Sequence, residues 1–238
     1  MDYIQGFLVP AKTANQAGYR EMAAAMEPFL AEYGASRVVE CWGDEVRDGK
    51  RTDMKRAVKA EGDETVVFSW IRWPDRATCD SAAQKMQADE RMKMPETLPF
   101  DPSRMVFGGF ETVVEKGPGG TIGYVDGFVA AVPDDKRSAF IDHAEFVADL
   151  FLAHGAQRVT DGWGVDVPHG KTTDFNRAVE AGDGETVAFG WVEWPDKPTR
   201  DAGMAALMES AEMRDNPPPW NGPTAIFGGF APILDTRL

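Results

Sequence analysis

ETVVFSWIRWPD (64–75) returns as ETVAFGWVEWPD (185–196), 121 residues further along the chain. In the first segment Val66, Phe68, Trp70 and Arg72 fall on one face of an extended chain, opposite Val67, Ser69 and Ile71. In the second, Val187, Phe189, Trp191 and Glu193 lie opposite Ala188, Gly190 and Val192. A period of two built from β-branched and aromatic residues is a strand pattern, so each segment is a strand with one bulky face and one small face. The offset holds outward from there. Tyr3, Gly6 and Phe7 return as Tyr124, Gly127 and Phe128; GASRV (34–38) returns as GAQRV (155–159) and Trp42-Gly43 as Trp163-Gly164. GKRTDMKRAV (49–58) returns as GKTTDFNRAV (170–179) and, after one deletion near the prolines at 217–219, FGGF (107–110) as FGGF (227–230). Self-similarity at a fixed spacing marks a repeat architecture.

Each copy reads strand (3–10), helix (13–33, ended by Gly34), strand (37–43), loop, strand (65–73), helix (from an Asp75 cap to 88) and strand (104–114). Gly34 suits the residue after a helix C-terminus. In the second copy Asp134 suits an N-cap, with Phe140, Ala144, Val147 and Phe151 as the apolar stripe of its helix. The order β-α-β-β-α-β is the ferredoxin-like split βαβ unit, an α+β fold. Repeat one spans 1–115, repeat two spans 124–238, and KGPGGTIG (116–123) reads as a flexible linker. Such a sheet carries helices on one face only. Ile4, Gly6 and Leu8 (Val125, Gly127, Val129), with Val39 and Cys41, are sized to lie under helices. Tyr3, Gln5 and Phe7 (Tyr124, Asp126, Phe128) and Val38, Glu40 and Trp42 (Val159, Asp161, Trp163) are then expected to join the bulky face of the third strand. That much aromatic area is not left in water. Its simplest cover is the same face of the other copy, held nearby in cis, which makes a barrel from two paired sheets and a pseudo-dimer within one chain. Association into a further homo-oligomer is compatible with that reading.

The 238 residues are 43% hydrophobic and 11% aromatic with seven Trp, a globular composition. A formal net charge of −14 repels phosphate backbones and anionic bilayers, so neither nucleic acid nor membrane is an expected partner. The opening MDYIQGFLVPAKT runs directly into a strand, without the basic segment or cleavage site of a secretory leader. Cys41 and Cys79 form no spacing motif and read as buried, reduced thiols, as in a cytoplasmic protein.

The enclosed face frames the candidate chemistry. Four carboxylates, Glu40, Asp161, Asp126 and Glu193, are expected among its rings as the catalytic candidates, because desolvation raises a carboxyl pKa toward neutrality and suits it to general acid–base work. Glu40/Asp161 is the favoured pair, since both copies keep a carboxylate there beside a Trp. Salt-bridged or solvated groups at the barrel ends are the structural alternative, with Arg72 reaching Glu193. Tyr3, Trp42, Phe68, Trp70, Arg72, Tyr124, Trp163, Phe189 and Trp191 are the expected binding wall for a small-molecule ligand. Lys50, Arg56, Lys171 and Arg177 recur in the longest near-identical loop, where they could receive an anionic substrate group; a local capping network begun by Asp53 is the alternative and the favoured account. Gly-Lys-Thr at 170–172 is no phosphate loop, because five residues, not four, separate Gly164 from Gly170. His143 and His154 stand eleven residues apart on one helix, about 16 Å along its axis, too far to share a metal ion. No metal or organic cofactor is expected.

The YVDGF start (124–128), the HGA turn (154–156), the loop G-K-x-T-D with R-A-V (49–58 and 170–179), the ETVVFSW strand (64–70) and the FGGF strand (107–110) together resemble the YbaA-like family of bacterial proteins, a domain of unknown function. The resemblance covers nearly the whole chain twice. It implies the dimeric α/β-barrel arrangement, with the dimer fused into one chain, and brings no established reaction. In copy one Gln5 stands where the family's opening motif has the Asp kept as Asp126, and Tyr33 where it has the His kept as His154. Three functions are compatible with these residues: a cofactor-independent enzyme of isomerase, lyase or monooxygenase type, a ligand-binding protein without chemistry, and a structural unit whose lumen is a filled core.

Overall fold

Cross-strand partners share a face of a sheet, and the registers of the third strand therefore sort every residue of this chain into lumen or exterior. The computed structural model describes residues 2–92 and 97–238. Repeat one holds β1 (Tyr3–Lys12), α1 (Gln16–Glu32), β2 (Arg37–Glu45), α2 (Met54–Ala57), β3 (Glu64–Trp73), α3 (Arg76–Ala88) and β4 (Val106–Lys116). Repeat two holds β5 (Tyr124–Pro133), α4 (Arg137–Ala153), β6 (Arg158–Asp166), α5 (Phe175–Ala178), β7 (Glu185–Trp194), α6 (Lys197–Glu209), α7 (Ala211–Asp215) and β8 (Ile226–Arg237). The strands close into one antiparallel barrel in the order β1-β3-β2-β8-β5-β7-β6-β4. Each repeat keeps the ferredoxin-like order, and its edge strands β2 and β4 pair with β8 and β6 of the other repeat. No strand edge is left open between the halves. No helix among the described residues is long and apolar enough to cross a membrane.

Local signals account for the element ends. Asp75 and Asp196 cap α3 and α6, accepting from the Thr78 and Thr199 amides at 2.7 Å. Gly34 and Gly155 take φ of 99° and 100° after α1 and α4, and the following amides donate back to Leu30 and Phe151, the αL stop that glycine permits. Asp134 does not cap α4. It opens a 3-10 turn ahead of that helix and accepts from the Thr186 hydroxyl. The 117–123 segment is held, not loose: the Gly119 and Gly123 amides donate to Gln157 and Trp194 carbonyls, and Ile122 is buried. Its glycines serve backbone geometry, with Gly117 and Gly119 at φ 97° and 68°.

Phe68, Trp70, Phe189 and Trp191 fill the lumen, stacked in pairs across the pseudo-twofold axis: Phe68 on Phe189 at 4.7 Å and Trp70 on Trp191 at 4.2 Å between ring centroids. Phe110 and Phe230 of the two FGGF strands close around them. The faces expected for the first two strands of each copy are inverted. Gly6 pairs with Trp70 and Leu8 with Phe68, and Val39 and Cys41 likewise oppose Trp70 and Phe68, so all of these face the lumen. Tyr3, Gln5, Glu40 and Trp42 therefore lie under the helices, as do Tyr124, Asp126, Asp161 and Trp163. The physical reason is reciprocal room. A Cβ on Gly6 would stand 2.8 Å from the Phe189 ring, and one on Gly127 would stand 2.6 Å from the Phe68 ring. Small residues mark where the other repeat's ring lies, not where a helix crosses.

Gly127→Ala is accordingly expected to lower stability by about 1–3 kcal/mol through overpacking. Gly222→Ala, whose added Cβ would meet nothing within 4 Å, is expected to change it by less than about 0.5 kcal/mol. Thermal denaturation of the two variants checks this, and equal midpoints would refute the reciprocal-ring account.

Candidate active site

Beneath the helices of the second repeat the outer sheet face leaves a cavity of about 750 Å³. Its floor is Asp126 and Phe128 on β5, Val159 and Asp161 on β6 and Val192 on β7. The roof is the inward stripe of α4, with Phe140 and Ala144 buried and His143, Val147 and Phe151 half-buried, spaced at helical periods. Met204 and Met208 of α6, Met213 of α7 and Trp220 complete it, with Phe227 at its edge. The wall is aromatic on one side, with Phe128 against Trp220 at 5.3 Å and against Phe227 at 5.9 Å, and thioether on the other.

Asp161 is the chemically distinctive group. It lies opposite Gly190, whose missing side chain leaves room for the carboxylate: a Cβ there would fall 2.4 Å from Oδ1. Asp161 is 7% exposed, and among the described residues no group donates a hydrogen bond to it. Burial alone raises its pKa from 3.8 to about 7. At the other end of the floor Asp126 is neutralised. Arg200 grips both its oxygens, with Nε at 3.0 and 2.9 Å, and the Trp194 indole donates to Oδ2 at 2.9 Å. Arg200 also donates to Glu45 of repeat one at 3.1 Å, so the first repeat supplies part of the second repeat's pocket rim.

At the matching place in repeat one the carboxylate is hydrogen-bonded within the protein. Glu40 occupies the Asp161 position, and the Tyr19 hydroxyl donates to its Oε2 at 3.0 Å. Tyr19 also packs against Trp42 and Phe100. Burial raises Glu40 to about 7 as well, against the lowering hydrogen bonds of Tyr19 and Ser69. In repeat two Tyr19 becomes Phe140 and Glu40 becomes the shorter Asp161, and the removed hydroxyl and methylene leave space. Gln5, in the place of Asp126, accepts from the Trp73 indole at 3.1 Å.

The remaining expected site residues are dispersed. Tyr3 and Tyr124 lie on the outer faces, with the Tyr124 hydroxyl donating to Asp44 at 2.9 Å; Trp42 and Trp163 pack under α1 and α4 against Tyr19 and Phe140. Phe68, Trp70 and Phe189 are lumen core, and Trp191, stacked with them, also borders the cavity. Glu193 is also in the lumen, fully buried, where its Oε1 accepts from Arg37 at 3.3 Å and from the Trp191 indole at 3.2 Å. Arg72 does not reach it and pairs instead with Glu115. Lys50, Arg56, Lys171 and Arg177 sit in the paired loops that cap one end of the barrel. There Asp53 and Asp174 accept from the Arg56 and Arg177 amides at 2.8 Å, while Thr52 and Thr173 donate across the axis to Ala178 and Ala57. None of the four cations lines the large cavity. Cys41 and Cys79 are free and buried. His143, Arg200, Asn216 and Trp220 line the cavity and were not among the expected site residues. One signal for them was available: His143 interrupts the apolar stripe of α4, where repeat one has Met22.

Comparison with known proteins bears on the fold more than on this cavity. The uncharacterised protein YbaA of Escherichia coli K12 is 50% identical over 117 residues, covering 49% of this chain and all of that protein; the Shigella flexneri YbaA matches to the same extent. Among solved structures, an anthrone oxidase-like protein aligns over 99% of this chain and 93% of its own, with TM-score 0.59 and 12% identity. A candidate monooxygenase of Fusobacterium nucleatum aligns over 99% and 94%, with TM-score 0.55 and 9% identity. At these identities the likeness is one of fold. Residues 2–102 and 123–222 each match the model of one family, and the chain therefore belongs, twice over, to the family described as Protein of unknown function (DUF1428).

Proposed function

We propose that the chain is an enzyme that holds a small, largely apolar molecule in the second-repeat cavity and uses Asp161 to remove a proton from it. One observation carries this reading: a carboxylate poised near neutrality, without a hydrogen-bond partner among the described residues, opens into a cavity of about 750 Å³, while its equivalent Glu40 is capped by a tyrosine. A structural carboxylate is normally paired or solvated; one kept desolvated and free beside a ligand-sized space has the proton affinity of a general base at neutral pH. Asp126, clamped by Arg200, shapes the floor and takes no proton in this scheme. Glu193 is committed to Arg37 in the lumen. The carbanion or enolate left by proton removal has two outcomes here. Return of the proton from Asp161 to another atom is an isomerisation. Addition to dioxygen followed by protonation gives a hydroperoxide, net insertion of O2 into the C–H bond, and the oxidative names of the two structural neighbours make it the first fate to assay. Neither step draws on a metal or organic cofactor.

A generic proton-abstraction probe tests Asp161 without knowledge of the natural substrate. 5-Nitrobenzisoxazole is flat and aromatic, and loss of its C–H proton breaks the N–O bond to release a coloured phenolate. The wild-type rate is expected to rise through an apparent pKa near 7. Asp161→Asn is expected to lower it at least about 100-fold, and Glu40→Gln to leave it unchanged. A rate that survives Asp161→Asn would falsify the assignment.

The same carboxyl leaves a signature in stability. Its folded pKa of about 7 lies above the ordinary 3.8, so between these values the folded chain holds a proton the unfolded chain has released. Stability contributed by the protonated carboxyl is therefore full below pH 4, declines as pH rises to 7, and is level above that. Asp161→Asn removes the penalty: it is expected to be more stable than wild type at pH 8 by on the order of 2–4 kcal/mol, with the gap closing near pH 4. Denaturant unfolding at the two pH values measures it, and a gap that widens on acidification contradicts the raised pKa.

A further inference from the structure

Opposite Asp161, across the cavity, α4 presents the imidazole of His143. Its Nδ1 stands 3.1 Å from Asn216 Oδ1, and a carboxamide oxygen only accepts. With the Asn216 amide oriented so that Oδ1 faces the ring, Nδ1 donates to it and Nε2 is left with the lone pair. The ring is held in place by Trp220, which meets it edge to face at 5.1 Å and 86°. Burial lowers the His143 pKa below the usual value, against the raising contact with Asn216, so the ring is neutral at physiological pH. Around it the charged side chains are paired with one another, Arg200 with Asp126 and Glu45 and Arg47 with Glu45, Asn216 is engaged by His143 itself, and the remaining wall is phenyl, indole, aliphatic and thioether. A ligand lying flat between floor and roof thus meets a single neutral acceptor above it and a proton-accepting carboxylate below.

We propose that His143 is the ligand-recognition residue of this cavity, and that the ligand it selects is an uncharged aromatic hydroxyl compound whose O–H donates to Nε2. This rests on the reading of the second-repeat cavity as the binding site, and it adds to that reading the chemical class of the molecule bound. Asn216, which fixes the tautomer, is a positioning residue. A hydroxyl proton held by His143 and a ring face on Phe128 and Trp220 leave the remaining edge of the molecule to Asp161. Repeat one shows how the position is read when no ligand is taken: Met22 stands in the place of His143, and the space below is filled by the Tyr19 hydroxyl on Glu40.

The test compares 2-naphthol with its methyl ether, which has the same ring system and no donor, by calorimetric titration. Wild type is expected to bind the naphthol at least about tenfold tighter, the discrimination that one satisfied buried hydrogen bond supplies. His143→Met, the residue repeat one itself carries, is expected to bring the two affinities within about twofold of each other; Asn216→Ala, which frees the tautomer, is expected to reduce the ratio without abolishing it. Long-range proton–nitrogen correlation spectra of the wild-type protein should show Nε2 without a proton. The proposal is overturned if His143→Met keeps the tenfold ratio, if only Asp161→Asn removes it, if neither probe binds, or if Nδ1 is the bare nitrogen. Failure of the benzisoxazole assay alone would remove the proton-transfer chemistry and leave this recognition standing, so the two outcomes are separable.

Discussion

Two pairs of stacked rings and two glycines hold the halves of this chain together. Phe68 of repeat one lies on the backbone of Gly127 in repeat two, Phe189 returns the contact on Gly6, and the two phenyl planes stack at 4.7 Å with an interplanar angle of 2°. Trp70 and Trp191 repeat the arrangement one layer further along. Each such pair adds roughly 0.5–1.5 kcal/mol beyond the area it buries, but its larger consequence is geometric. The sheets can approach closely enough for β2 to hydrogen-bond β8 and β4 to bond β6 only because a ring on one side meets no side chain on the other. The closed barrel, the absence of free edges and the direction in which every other side chain points follow from that contact.

A lumen consumed by its own aromatic core moves any ligand chemistry to the outer faces, beneath the helices. There the duplication matters in a second way. Two identical chains pairing as a dimer carry two identical sites, whereas a fused pair can let one site close and keep the other. Tyr19 and Glu40 against Phe140 and Asp161 amount to one hydroxyl and one methylene of difference, and these decide whether the space is filled by the protein or left for something else. Repeat one is not idle in this arrangement. The β2–β8 pairing shifts register between Gly43 and Glu45, and Glu45, paired with Gly229, bonds Arg200 and Lys197 from there. Arg200 in turn holds Asp126. The rim of the open site is thus an ionic chain that crosses the repeat boundary.

The repeat, the ferredoxin-like element order, the pairing of sheets into a barrel and the bulky face of β3 and β7 were all legible in the residues, because each rests on a local period or a literal recurrence. The phase of β1 and β2 was not. A strand alternating Ile4-Gly6-Leu8 against Tyr3-Gln5-Phe7 offers two faces, and side-chain size alone points the wrong way when the small residues accommodate rings from a distant segment. Inverting that phase carried Glu40, Asp161 and Asp126 from the expected lumen to the helix side. Glu40/Asp161 had been singled out because a carboxylate recurs beside a Trp. The recurrence is real, and its cause is a shared position under the first helix of each repeat. His143 and Arg200 were harder to read for a different reason: each lacks a counterpart of its own type in repeat one, where Met22 and Cys79 stand, so recurrence does not point to them and only the break in the α4 stripe marks His143.

That last point bears on where function resides in a duplicated barrel. Positions identical in both copies, such as the Gly-Lys loops with their Asp53 and Asp174 caps, are those whose contacts are symmetric about the pseudo-axis: Thr52 bonds Ala178 and Thr173 bonds Ala57 in mirror fashion, and neither can change without its partner. Such loops are bound to the architecture. The cavity residues make no such reciprocal bond to their own counterparts, although α4 packs on β4 of repeat one as well as on β6. Four of them differ from their repeat-one counterparts around one space: Phe140 for Tyr19, Asp161 for Glu40, His143 for Met22 and Arg200 for Cys79. On the function proposed for Asp161, the difference between the repeats, more than their likeness, marks the working surface.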